Sequence, residues 1–331
     1  MPGPITCDTL QGTMQKNRDY LIDIARKYYM DGLSQQEIAR ELGISRPTVS
    51  NLLKQCREEG IVTINIEDFS SSLTQTLADQ LKTACPLREV IVVQSQMNTE
   101  QTLTTAGEAA SGFLLKRLRD GITLGLSWGT SLHQFVRQVP RHPVLDAEVI
   151  QMVGSLGAEN PESDGFELVR TLAHKLNAGY SLLHAPILVK TPELKRMLEQ
   201  ERRLGEVLDK MASIDIAFVG ISSDHPEDSS LVREGFLSAA EARRILDAGG
   251  VGHICCYHYD RNGRFLDVEE NRRIIGVRSF ELTDIPEVVG IACGSRKAEA
   301  ILGALRGGLI DTLITDEAAA LSILSSLKQG G

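Results

Sequence analysis

The feature that most constrains this chain is a strand-then-helix rhythm that fills most of its length. Strand-like apolar runs lie at 89–93, 122–126, 148–153, 181–189, 214–221, 252–259, 288–292 and 312–314. Amphipathic helical patterns separate most of them, as at 102–118, 166–176, 297–305 and 317–327. Nearly continuous apolar strands that alternate with helices are typical of a parallel sheet covered on both faces. The sequence therefore predicts a doubly wound α/β domain over residues 87–328, the larger of two domains.

Three short helical patterns precede this domain. The second opens on a capping box, in which Ser34 caps the helix and Glu37 reaches back to it. A tight turn at Gly43 leads to a third helix, which Ser45 caps and which carries Pro47 in its first turn. Two short helices joined by such a turn are the sequence form of a helix-turn-helix.

We therefore predict a flexible leader over residues 1–17 and a winged-helix-like, DNA-binding helix-turn-helix domain over 18–67. The segment 61–66 alternates like a strand and is either a wing or the exit from this domain. The third helix, within residues 45–57, has three basic and no acidic side chains, although the whole chain has a formal net charge of −9. A three-helix interaction module with a solvated basic face is the alternative.

The polar side chains of the third helix are the candidate DNA contacts. Asn and Arg can make bidentate hydrogen bonds to adenine and guanine, and hydroxyl groups can bond to phosphates. The candidates are Ser45, Arg46, Thr48, Ser50, Asn51 and Lys54. The predicted partner is operator DNA.

A helical stripe of Leu73, Leu77 and Leu81 follows a serine-rich boundary at 70–72. We assign residues 68–86 to a linker or oligomerisation helix, because an apolar stripe needs a cover and a second chain could supply it. Self-association as a dimer or tetramer would in turn predict a near-palindromic operator.

Junctions between strands and helices supply the candidate effector site. Free N–H groups at a helix start favour an anion, and ligands of open α/β sheets bind outside the carboxyl ends of strands. Lys297 is placed in the first turn of a helix, where its charge is disfavoured unless an anion is present. Four strand ends supply the candidates Ser127, Gly129, Thr130, Ser131, Gly154, Ser155, Asp260 and Lys297.

Several segments together resemble the SorC-type (DeoR-like sugar-binding) bacterial transcriptional regulators. They are 32–39 (GLSQQEIA), 125–130 (GLSWGT), 219–221, 233–236, 252–255, 271–276 and 297–301, within a resemblance that runs from about 18 to 327. The resemblance implies a helix-turn-helix and an effector domain related to sugar-phosphate isomerases and glucosamine-phosphate deaminases. It also implies oligomers, usually tetramers, whose operator affinity is changed by a phosphorylated sugar or sugar derivative. By the same similarity Gly129, Thr130 and Ser131 form a phosphate loop, and Lys297 and Asp260 contact the ligand.

The sequence departs from the family pattern at three places. The loop that is often Gly-Gly-x-Gly is Gly154-Ser-Leu-Gly157, a usual Gly-Asp is Gly252-His253, and a Gly-Gly pair is Cys293-Gly294. The identity of the sugar therefore cannot be carried over from the family.

Two other functions compete with a regulator. A sugar-phosphate isomerase or deaminase fused to a DNA-binding head is weakly supported by residues 220–225, but this loop lacks the glycine between Asp224 and His225 and has no second acid for proton transfer. An architectural DNA-bending protein would not need anion sites on its distal domain. We therefore expect a regulator and no enzyme.

Composition and residue spacing also bear on membrane association, on the cellular compartment and on bound metals or cofactors. No apolar run reaches the roughly 18 residues that a membrane span needs, so no membrane partner is expected. The six cysteines form no Cys-x-x-Cys pair and have no zinc-like spacing, which favours a reduced cytoplasm. The seven histidines form no His-Glu-x-x-His motif, and we expect neither a metal nor a cofactor.

Overall fold

The computed structural model describes residues 19–62, 72–155, 157 and 163–329. They fall into two compact units, which divide between Asp68 and Phe69. The predicted leader over 1–17, residues 63–66 of the strand-like segment and residues 70–71 of the serine-rich boundary lie outside the described residues.

The described part of the smaller unit contains three helices: α1 (residues 19–29), α2 (Gln35–Leu42) and α3 (Arg46–Glu58). Ile24, Ile38 and Val49 come from different helices and share one buried cluster. The predicted capping box is confirmed, because the N–H of Glu37 donates to Ser34 Oγ and the N–H of Ser34 donates to Glu37 Oε2. Gly43 closes α2 at φ +65°, a left-handed conformation that glycine adopts without strain.

The larger unit is built on a nine-stranded sheet. Its strands are β1 (Glu89–Val93), β2 (Thr123–Leu126), β3 (Glu148–Gln151), β4 (Gly179–Ser181), β5 (Ile216–Ser223), β6 (Gly250–Ile254), β7 (Tyr257–Asp260), β8 (Glu287–Ile291) and β9 (Thr312–Asp316). Seven of them run in parallel in the order β1-β9-β8-β5-β2-β3-β4. The β6–β7 hairpin extends from β5 in the antiparallel direction.

The helices of the larger unit are α4 (Ser72–Ala84), α5 (Thr99–Leu115), α6 (Thr130–Gln138), α7 (Gly165–Leu176), α8 (Pro192–Glu199), α9 (Arg202–Lys210), α10 (Ser230–Arg233), α11 (Ala239–Asp247), α12 (Glu269–Arg272), α13 (Ser279–Leu282), α14 (Ala298–Arg306) and α15 (Glu317–Gln329). No helix in the described part of the chain is both long and apolar enough to cross a membrane.

Successive residues of a strand enter two separate cores. In β5, Ile216 and Phe218 pack with α5, α6 and α7, whereas Ala217 and Val219 pack with α4, α14 and α15. This alternation places helices on both faces of a parallel sheet, because strand side chains alternate in direction. The predicted doubly wound α/β architecture is confirmed.

The single strand expected over 252–259 is instead a hairpin. Cys255 and Cys256 form its two-residue turn, with φ of +48° and +69°, and Ile254 pairs with Tyr257. Two left-handed residues in succession suit the right-handed twist of a hairpin, and the usual sequence signal for them is Asn-Gly. Two cysteines give no such signal, so the turn was not foreseen. The expected strand over 181–189 is wrong: β4 covers Gly179–Ser181, and beyond it the described residues form only isolated bridges at Pro186 and Leu188.

Helix α4 is covered by its own chain. It packs against β1 and α15, which bury Leu77 and Leu81, while Leu73 stays 51% exposed. The expectation that a second chain covers this stripe is therefore wrong for two of its three leucines, Leu77 and Leu81. The reason is that the sheet edge at β1 offers an apolar surface within the same unit.

Candidate effector cavity and nucleic-acid interface

One cavity of the larger unit lies at the carboxyl ends of β2 and β5, beside β8. Its volume is about 510 Å³ with the open mouth included. The helices that follow β2 and β8, α6 and α14, cover opposite faces of the sheet, and β5 lies between these two strands. A crevice opens where consecutive helices leave on opposite faces, and this is where open α/β sheets bind ligands.

The β2–α6 junction forms one wall of the cavity. Ser127, Gly129, Thr130 and Ser131 all line it, as the sequence predicts. Gly129 precedes α6 at φ +116° and has no side chain to cap the helix. Among the described residues, the N–H groups of Thr130 and Ser131 have no acceptor. These donors, at the positive end of a nine-residue helix, can bind an anion.

Lys297 lines the same cavity from the β8–α14 junction. It ends a 3₁₀ turn and directly precedes α14, so the predicted position at a helix start is confirmed. The side chain is half-buried, and its ammonium has no hydrogen-bond or ion-pair partner among the described residues. Burial lowers the pKa of Lys297, and the positive charge of Arg233 adds to this effect. An anion in the cavity would offset both penalties.

Two predicted effector residues, Gly154 and Ser155, do not line this cavity. The backbone at Gly154 lies so close to that of Ala185 that a Cβ atom would approach its carbonyl oxygen to 2.6 Å. Ser155 Oγ donates to Asp164 Oδ2 at 2.6 Å, and Asp164 caps α7. In the described part of the loop, these residues hold α7 and its neighbouring segment in place.

Asp260 is also outside the cavity. Its carboxylate accepts hydrogen bonds from the N–H groups of Asn262 and Arg264, at 2.8 and 2.9 Å, and so stabilises the turn after β7. The sequence predicts that this strand end joins the others, but β7 is the return strand of the hairpin and pairs with β6, not with a parallel strand of the described sheet. Its end therefore does not lie among the carboxyl ends of the parallel strands.

A buried polar cluster next to the cavity was missed by the sequence analysis. Asp224 Oδ1 lies 3.0 Å from His253 Nδ1 and 2.7 Å from His258 Nδ1. His253 Nε2 lies 3.0 Å from Ser230 Oγ, and both His253 and Ser230 line the cavity. The sequence signals are the 220–225 loop, which contains Asp224, and the unusual Gly252-His253 pair. The sequence does not predict the hairpin that brings His258 beside them.

The charge of this cluster is fixed by its environment. Burial raises the pKa of Asp224, but the imidazoles of His258 and His253 outweigh it and lower the pKa to about 2. Burial lowers the pKa of His253 despite its bond to Asp224. The donor atoms of the three residues lie within 4.8 Å of one another, a spacing that could hold a metal ion. The contacts of 2.7 and 3.0 Å are those of hydrogen bonds to Oδ1, and Oδ2 of Asp224 is buried without a partner in the described part of the chain.

The two turn cysteines also line the cavity. Burial raises the pKa of Cys255 to about 12 and that of Cys256 further, so both remain thiols at neutral pH. Because the thiolate is the reactive form, this environment does not favour redox chemistry.

In the smaller unit, the predicted DNA-contacting face of α3 is exposed. Ser45 Oγ accepts from the N–H of Thr48 at 3.3 Å and thereby caps the helix, and Lys54 lies 3.5 Å from Glu58. Arg46, Ser50 and Asn51 have no side-chain hydrogen bond or ion pair within the described residues. Their polar groups are therefore available to base edges and phosphates.

Comparison with known proteins agrees with both units. Residues 71–325 match the sugar-binding domain family, and residues 18–70 match the Crp-like helix-turn-helix domain. The sorbitol operon regulator of Klebsiella pneumoniae is 30% identical over 92% of this chain and 97% of its own length. The chain belongs to the SorC-type family of sugar-binding transcriptional regulators. The resemblance noted in the sequence is confirmed.

Other relatives of this SorC-type chain agree. The deoxyribonucleoside regulator of Bacillus subtilis is also 30% identical, over 92% of this chain and 97% of its own length. The crystal structure of full-length SorC from Klebsiella pneumoniae matches with a TM-score of 0.77 at 29% identity, covering 92% of this chain and 98% of that one. A DeoR family regulator from Listeria monocytogenes matches with a TM-score of 0.70 at 29% identity, over 76% of this chain and 99% of that one. These relatives are named as transcriptional regulators, which supports a regulatory and not an enzymatic role for this SorC-type protein.

Proposed function

We propose that this SorC-type regulator binds a phosphorylated sugar or sugar derivative in the cavity of its larger unit, and that binding changes its affinity for operator DNA. The observation that carries the proposal is that, within the described residues, the half-buried ammonium of Lys297 and the N–H groups at the start of α6 both have no partner. Both features favour an anion, and both face one cavity.

The phosphate is assigned to the α6 side of this cavity. Thr130 and Ser131 donate through their backbone N–H groups, Gly129 lets the chain approach closely, and Lys297 supplies the positive charge. Ser127 contributes a hydroxyl on the same wall. Gly154, Ser155 and Asp260 are left out of the assignment because none of them lines the cavity. The backbone of Gly154 packs against that of Ala185, Ser155 bonds to Asp164, and Asp260 bonds within the turn after β7.

DNA reading is assigned to α3. We infer that Arg46 and Asn51 contact base edges and that Ser50 and Lys54 contact the DNA phosphates. Ser45 and Thr48 stabilise the start of the helix. We further propose that the protein self-associates as a dimer or tetramer and reads a near-palindromic operator, since two-fold symmetry of the protein requires two-fold symmetry of its half-sites.

The test begins with selection of bound duplexes from a random DNA library by the full-length protein. The recovered sequence is then titrated with protein in the presence and absence of phosphorylated sugars. Trp128 is the only tryptophan and lines the cavity, so its fluorescence reports ligand binding separately. We expect at least one phosphorylated sugar to change both signals. Fluorescence changes without any change in operator affinity would contradict the proposed regulation.

A further inference from the structure

Two serines on one wall of the cavity differ in the hydrogen bonds that they can still make. Ser222 lies near the end of β5 and Ser230 begins α10, and both line the cavity. The backbone N–H of Ser230 donates to Ser222 Oγ at 3.1 Å, so the two residues are direct neighbours.

The hydroxyl hydrogen of Ser230 is committed to His253. Asp224 is ionised and can only accept, so His253 must donate to it from Nδ1, 3.0 Å away. Burial keeps His253 neutral, and a neutral imidazole that carries its hydrogen on Nδ1 has a lone pair on Nε2. Ser230 Oγ, 3.0 Å from Nε2, must then be the donor in that contact. Only lone pairs of Ser230 Oγ remain for a ligand.

The hydroxyl of Ser222 has the opposite hydrogen-bonding capacity, because it can still donate. Its Oγ already accepts the N–H of Ser230, and its own hydrogen has no acceptor among the described residues. A ligand group at this wall therefore meets a donor at Ser222 and an acceptor at Ser230.

We propose that Ser222 and Ser230 together select a neutral hydroxyl group of the effector, which donates to Ser230 and accepts from Ser222. This inference rests on the proposed function and orients the ligand within the cavity. A carbonyl or a fully ionised phosphate monoester has no hydrogen to donate to Ser230, whereas a hydroxyl satisfies both serines. The phosphate of the effector therefore lies toward α6 and Lys297, and a sugar hydroxyl lies toward β5 and α10. Asp224 and His253 are positioning residues that act through Ser230.

The first experiment needs no ligand. A long-range proton–nitrogen correlation spectrum of the full-length protein reports which imidazole nitrogen carries the hydrogen, and His253→Gln assigns the signal. We expect His253 to carry hydrogen on Nδ1 and none on Nε2. A protonated Nε2 would overturn the proposal, because Ser230 would then accept from His253 and direct its hydrogen into the cavity.

The second experiment compares inorganic phosphate with sorbitol phosphate, ribose phosphate and glucosamine phosphate, using the fluorescence of Trp128. Ser230→Ala and Ser222→Ala should each lower the affinity for the phosphorylated sugars about tenfold, because each removes roughly one hydrogen bond. The affinity for inorganic phosphate should not change. Ser213→Ala, an exposed serine outside the cavity, is the control. Equal weakening of inorganic phosphate in Ser230→Ala would overturn the assignment. If no phosphorylated compound binds at all, the proposed function fails, while the imidazole spectrum still decides the polarity of Ser230.

Discussion

The indole N–H of Trp128 donates to Sγ of Cys256 at 3.2 Å, across 128 residues of sequence. The bond joins the β2–α6 junction to the turn of the β6–β7 hairpin, so that two distant segments form one cavity wall. Since thiols are weak acceptors, this bond is weak and easily perturbed. A ligand at the start of α6 would therefore be reported by the fluorescence of the single tryptophan.

The role of Lys297 predicts a separation of effector binding from DNA binding. Lys297→Ala removes a charge-assisted hydrogen bond worth roughly 1.5–3 kcal/mol, and effector affinity should fall by about one to two decades. Thr130→Ala should cost less, because its backbone N–H remains. Operator binding by fluorescence anisotropy, measured across an effector titration, gives both affinities. Lys328→Ala is the matched control on an exposed helix face. An unchanged effector midpoint in Lys297→Ala would remove this residue from the site.

The exposed face of α3 predicts two kinds of DNA defect. Arg46→Ala and Asn51→Ala should reduce the preference for operator over random duplex by about 1–3 kcal/mol each if they contact bases. Lys54→Ala should weaken all duplexes alike and lower the salt slope by about one. Competition binding at several salt concentrations separates the two effects, with Arg202→Ala in the larger unit as a control. Wild-type selectivity in all three α3 variants would exclude this helix from DNA reading.

The buried Asp224–His253 pair predicts acid sensitivity of the larger unit. Below the ordinary histidine pKa of 6.5, the unfolded chain takes up a proton at His253 that the folded chain resists, so stability falls as pH falls. A second loss, on the order of 2 kcal/mol, follows between pH 3.8 and about 2, where the unfolded state protonates Asp224 before the folded state does.

Urea unfolding at a series of pH values tests this prediction. His253→Gln should flatten the loss that begins near pH 6.5, whereas His225→Gln, at an exposed position, should not. If the two variants and the parent show the same pH dependence, His253 does not resist protonation.

The burial of α4 predicts that its leucines differ in their contribution to stability. Leu77→Ala opens a cavity in the core and should lower the free energy of unfolding by about 2–5 kcal/mol without changing the oligomeric state. Leu73→Glu changes an exposed side chain and should leave stability nearly unchanged. Sedimentation equilibrium with chemical unfolding measures both properties. A monomeric parent at micromolar concentration, with or without DNA, would contradict the proposed self-association.

Local patterns were enough to predict the helix-turn-helix and the α/β architecture. The capping box at Ser34 and Glu37 involves residues three apart. The apolar composition of a strand such as β5 is itself enough to predict that the strand is buried. The helix starts at Thr130 and Lys297 were also predicted, because a strand that runs into small or charged residues is a signal contained within a few positions. These features depend on neighbours in sequence, so the sequence by itself determined them.

The remaining features depended on contacts between distant residues. Because β7 returns beside β6, Asp260 lies outside the cavity. The same hairpin places His258 in contact with Asp224, which is 34 residues earlier in the sequence. The apolar surface of β1 and α15 covered Leu77 and Leu81, which in the sequence alone indicated a partner chain. The protonation of His253, and with it the polarity of Ser230, follows from burial beside a carboxylate. Tertiary structure decided these features, because burial and electrostatic fields arise from groups that only folding brings together.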